Sequence, residues 1–146
     1  MAIDTARLEA HLRRAHGAVL ETIGDCADAT AAGFETTREG RPATTDPDRI
    51  TGPLRASLYR AGVLEALPAV LSDLVAAAGA ELSAPPVAAP PYVVVTSRGP
   101  VLRATLPAGR LVVSIHLFEP RRTDADVHYV RCPRGAGGPP VDVECR

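Results

Sequence analysis

At 146 residues the chain is the size of one domain and long enough to bury a core. Apolar residues make up 46% of it and charged residues 23%, a globular balance rather than a disordered one. A formal net charge of −1 supplies no field toward nucleic acid or an anionic membrane, and no apolar run approaches the ~20 residues of a membrane span.

Several residue types are missing, and the gaps shape the expectations. With no Trp, two Phe and three Tyr, the core must be built from Ala, Val, Leu and Ile. All sixteen basic residues are Arg, which reads as the imprint of a GC-rich genome. Cys26, Cys132 and Cys145 are odd in number and widely spaced, so idle or buried thiols are expected rather than a disulfide framework. Met1 to Arg14 is charged and periodic, unlike a secretory signal, and a cytoplasmic location is expected.

In chain order, the first element is a helix. Leu8, Leu12, Ala15, Val19, Ile23, Cys26 or Ala27, and Phe34 recur at three- and four-residue steps on one stripe, with Asp4 or Thr5 as the cap. Thr36 to Asp48 carries turn formers without apolar periodicity and reads as a loop. Asp46-Pro47 then suits a helix start. A second helix is expected from about Pro53 to Ala61 with Leu54 and Leu58 inward, stopped by Gly62. A third runs to Ala78, from Val63 or from Pro68, with Leu64, Leu67, Leu71, Leu74 and Val75 inward. The proline-rich stretch from Ser83 to Pro91 reads as a stiff connector.

Strands follow. Tyr92–Ser97, Val101–Leu106 and Leu111–Phe118 are β-rich runs at hairpin spacing. A two-residue turn at Arg98-Gly99 pairs Val95 with Leu102. A four-residue loop at 107–110 pairs Leu106 with Leu111. Both registers put Val93, Val95, Leu102, Ala104, Leu106, Leu111, Val113, Ile115 and Leu117 on one face, where a one-residue slip would scatter them. Val127–Cys132 is expected as a fourth strand after a polar loop, Glu119–Asp126. The tail from Pro133 is expected to be loose, with Val141–Glu144 able to add an edge strand. The expected fold is α+β: about three N-terminal helices on one face of a C-terminal antiparallel meander of three to five strands. It makes one domain over residues 1–146, with a helical half (4–82), a connector (83–91), a β half (92–132) and a tail (133–146).

Chemistry is harder to find. The outer face of the sheet gathers Tyr92, Thr96, Arg103, Ser114 and His116, a set that could hold a small anion or polar ligand, although a half-solvated sheet face commonly looks like this. His116, His128 and Cys132 are the wrong distance apart for one ion, since residues four apart on a strand lie roughly 13 Å apart. His11 and His16, five apart on a helix, fall about 140° around it and do not share a face. No nucleophile elbow, carboxylate pair or phosphate loop stands out, so no catalytic residue, metal ligand or cofactor is expected. The helix–Gly62–helix unit lacks Arg, Lys, Asn and Gln from Leu64 to Leu82, which argues against a DNA-reading helix.

Residues 84–119, APPVAAPPYVVVTSRGPVLRATLPAGRLVVSIHLFE, with a first helix ending in DCADA, resemble a small family of uncharacterised haloarchaeal proteins. The resemblance covers most of the chain, implies a cytoplasmic protein and transfers no functional residues. The function expected is a non-enzymatic accessory or protein-interaction domain, acting through a partner protein or self-association. Its motive is an apolar outer sheet face at Val94, Val101, Val112 and Phe118. The alternatives are a ligand binder using the five residues above and an enzyme whose site the sequence does not show.

Overall fold

The apolar stripe of the first forty residues does not run along one straight helix. In the computed structural model, which describes residues 2–135 and 137–146, it divides into α1 (Thr5–Ala15) and α2 (Gly17–Ala31). Asp4 caps α1 by accepting from the Arg7 amide. At the junction His16 leaves helical geometry (φ −126°, ψ 27°), although its N–H still donates to the Leu12 carbonyl. Gly17, a poor helix former, stands just after the break. The elbow changes the phase of the stripe: Leu8 and Leu12 are buried before it, and Leu20, Ile23 and Ala27 after it. Ala15 is exposed and Val19 half-buried, so the single continuous helix expected from the pattern is corrected to two.

The other helices follow their sequence signals more closely. Asp46 caps a 3-10 turn at Pro47–Arg49, and α3 (Thr51–Arg60) buries Leu54 and Leu58. Gly62 takes a left-handed φ of 76°, and α4 (Val63–Ala77) follows it without a break at Pro68. Leu67, Leu71, Leu74 and Val75 of α4 are buried.

Among the described residues eight strands form two antiparallel sheets of four. They are β1 (Thr36–Arg38), β2 (Arg41–Thr44), β3 (Val93–Thr96), β4 (Gly99–Leu106), β5 (Gly109–Ile115), β6 (Phe118–Arg122), β7 (Val127–Arg131) and β8 (Val141–Cys145). The larger sheet runs β3-β4-β5-β8 and the smaller one β1-β2-β7-β6. The fold is thus α+β, and the described residues hold four α-helices and two sheets where about three helices and one meander were expected.

Both expected hairpin registers are off by two residues. Val93 pairs with Leu102 and Thr96 with Gly99 around a turn at Ser97-Arg98, while Leu106 pairs with Gly109 around Pro107-Ala108. A slip of two returns each side chain to its own face. Val93, Leu102, Ala104, Leu106, Leu111, Val113, Ile115 and Leu117 are therefore buried together, with Val95 half-buried. The glycines belong to the strands because a Cβ at Gly99 would fall on the Ile115 carbonyl oxygen, and one at Gly109 on that of Arg146.

Two segments expected to be irregular are ordered. Thr36 to Thr44 is a hairpin, turned by Glu39 and Gly40, both with positive φ. Phe118–Arg122 is a strand paired with β7. In both, polar side chains hide the strand, because a short strand half in water needs little apolar patterning. The tail supplies β8, the edge strand that Val141–Glu144 offered, paired with β5.

The helices cover the larger sheet: α1 lies against β8, α3 against β3 and α4 against β4, while α2 reaches β7 of the smaller sheet. Phe34 meets Phe118 with ring centroids 5.4 Å apart. Arg131, only 5% exposed, donates to Asp28 on α2 and to the carbonyls of Gly24, Leu117 and Cys132. Arg131→Met is expected to cost about 1–3 kcal/mol in urea unfolding, because it strands those carbonyls. A loss within 0.5 kcal/mol would show that the bolt is dispensable.

Candidate functional site

The elbow at His16 brings together residues that a helical wheel separates. His11 lies on the last full turns of α1, His16 is the junction residue, and Asp73 comes from α4, which packs against α1 and α2. His11 Nε2 lies 2.8 Å and His16 Nε2 2.7 Å from the same oxygen, Asp73 Oδ2. The two rings meet edge-on, 6.3 Å between centroids. One donor atom from each of the three residues falls within a 4.8 Å sphere of mutual distance.

The helical wheel misplaces the pair because it presumes uninterrupted helix. With His16 out of helical geometry, its ring swings to the side of His11. The signal present in the sequence was Gly17, which follows the histidine where a glycine commonly marks a helix end.

The cluster is half open to water: the side chains of His11, His16 and Asp73 are 25%, 20% and 42% exposed. Hydrogen bonds from His16 and then His11 hold the Asp73 carboxyl below its ordinary value. Two nitrogens and one oxygen of this kind suit a divalent transition ion, which they would bind at ~2.0–2.2 Å. Three protein ligands leave a further coordination position free for water or another ligand.

The five outer-face residues do not form one site. Arg103 donates its amide to the Tyr92 carbonyl, and both line one cavity of about 250 Å³ together with Ser83, Thr105 and Arg110. Ser114 is one row away, paired with Val101 and Asp142. Thr96 spends its hydroxyl on the Gly99 carbonyl at 2.7 Å. His116 lies past the end of β5, where burial first and the nearby Arg98 second lower its pKa. Arg110 is the member that the sequence reading overlooked, because the two-residue slip moved it from a loop into β5.

The apolar outer face is smaller than expected: Val112 is 6% exposed and Phe118 fully buried, while Val94 and Val101 are half-buried. Cys132 is buried, as expected of an idle thiol, and burial pushes it up to about 11, which makes it a poor thiolate donor at neutral pH. Among the described residues no helix is long and apolar enough to cross a membrane.

Because Asp73 titrates below its unfolded value, the folded state binds fewer protons near pH 4, and the gain is present above that range. It is lost as the pH falls through the lowered value. Asp73→Asn in chelator-treated buffer is expected to cost at most about 1 kcal/mol at pH 7, given the carboxylate's exposure. The difference from wild type should shrink as the pH falls through the lowered value. A cost that does not change with pH across the acid range would separate the Asp73 role from its charge.

Comparison with known proteins gives a family and no activity. Residues 6–146 match the model of a family described as a domain of unknown function (DUF7988). No curated protein and no solved structure matches the chain.

Proposed function

We propose that this chain, which belongs to the DUF7988 family, is a non-enzymatic accessory domain that holds one divalent transition-metal ion between His11, His16 and Asp73. The observation that carries the reading is the convergence of two imidazole nitrogens on one carboxylate oxygen at a helix elbow. An ion there takes the place of the two bridging protons, so binding releases protons and strengthens from mildly acid to neutral pH.

The accessory role rests on where the site lies. Its ligands sit on three helical segments and remain 20–42% exposed, so the ion's remaining position faces solvent. A side chain from a partner protein or a second copy of the chain would complete the coordination there. This gives the interaction reading a chemical basis beyond the half-buried Val94 and Val101 of the outer sheet face. The cytoplasm of a haloarchaeal host is the setting we adopt, on the resemblance of residues 84–119 and of the helix ending DCADA.

Calorimetric titration of the metal-stripped protein with Zn²⁺, Co²⁺ and Ni²⁺ tests the proposal. One equivalent should bind, and His11→Ala, His16→Ala and Asp73→Ala should each weaken binding by at least about 10–100-fold. Ion at a hundred times Kd should stabilise the fold by about 2.7 kcal/mol. Sedimentation with and without the ion then reports whether a second copy fills the open position. Equal affinity in wild type and a triple variant of these residues would overturn the assignment.

A further inference from the structure

A concave surface is built on a different side of α4 from Asp73. There Val75 and Ala76 of α4 face the chain that leaves the helix, and Leu82, Pro85 and Pro86 close a cavity of about 460 Å³. The connector's prolines fix its backbone and carry no amide hydrogen, so the wall is stiff and apolar. Ser72 and Glu81 are polar members of this lining.

The second cavity, of about 250 Å³, adjoins the first, for Leu82 and Ser83 line both. Its character is opposite. Arg103 and Arg110 line it with the hydroxyl-bearing residues Ser83, Tyr92 and Thr105. Like most of the chain's arginines, neither joins an ion pair among the described residues, and both are exposed. Glu144 stands in the same row of the sheet as Arg103, two strands over, and is engaged by Arg146 at 2.8 Å. Two guanidinium groups are thus left to face one end of an otherwise apolar groove.

We propose that the joined cavities bind a single-chain amphipathic anion. Its alkyl chain lies over Val75, Ala76, Leu82 and the two prolines. Its headgroup, a carboxylate or a phosphate monoester, lies between Arg103 and Arg110. Apolar burial supplies affinity that grows with chain length, and the guanidinium forks fix the orientation by charge-assisted hydrogen bonds. The headgroup belongs at the arginine end, since Glu81 borders the other. This site is independent of the metal site and shares with it only the helix that carries both.

Calorimetric titration of the full chain with decanoate, decyl phosphate, acetate, inorganic phosphate and decyltrimethylammonium tests the inference. One decyl anion per chain is expected, at least tenfold tighter than acetate or inorganic phosphate, with no binding of the cation. The tighter of the two decyl anions names the headgroup. Arg103→Ala with Arg110→Ala should lower that affinity at least tenfold, while the paired Lys variants, which keep the charge, should retain most of it. Ala76→Trp, on an exposed helix position, should block the chain and leave the melting temperature near wild type. Acetate or phosphate binding as tightly as the decyl anion would overturn the amphipathic reading. So would equal binding of the cation, or affinity unchanged in both the double Ala variant and Ala76→Trp.

Discussion

A buried guanidinium holds the two halves of this molecule in place. Arg131 leaves the end of β7, turns inward and reaches carbonyls from three separate places: Gly24 on α2, Leu117 between the two sheets, and Cys132 just after its own strand. Its charge is met by Asp28 at 3.0 Å. Burying a cation costs several kcal/mol unless its donors are satisfied, and here four acceptors do so at once. The cost of misplacing any of them is what makes the arrangement specific. The crossing from β5 into β6, the start of the tail and the tilt of α2 are all tied to one planar group.

The consequences run along α2. Arg134, on the tail just beyond, reaches Glu21, Asp25 and Asp28 on the solvent side of the same helix. These exposed pairs add little stability, but they lie on the path that the tail takes back to the larger sheet. On α1, Arg13 donates to the carbonyls of Gly137 and Pro139. α1 packs against β8 and α2 against β7, and the break between them falls at His16, next to a glycine. The histidine pair depends on that break.

The α4 helix connects the two sites described above. Its inner side supplies Leu67, Leu71 and Leu74 to the core. Asp73 points toward the elbow, and Val75 and Ala76 border the groove under the proline-rich connector. A helix of fifteen residues thus presents three surfaces with three tasks, and its near lack of charge reflects how little of it meets open water.

Much of the fold was legible in the residues, for reasons that particular elements make plain. The apolar alternation of β4 and β5 determined which side chains face the core, because strand periodicity survives a register error of two. The stop at Gly62 and the inward leucines of α4 were likewise local, set by a 3.6-residue repeat and by glycine's access to positive φ. The family match added a name for the chain's kin without any chemistry. What the chain did not show locally was everything decided by contacts between distant segments. The hairpin of β1 and β2 and the strand β6 have polar side chains and become strands only by pairing with β7. Arg110 enters the basic cavity because the register of β4 with β5 places it opposite Thr105, a pairing set between strands and not by local sequence. His11 and His16 meet on one oxygen of Asp73 only because the helix breaks between them, and a 3.6-residue repeat read as continuous hides that break.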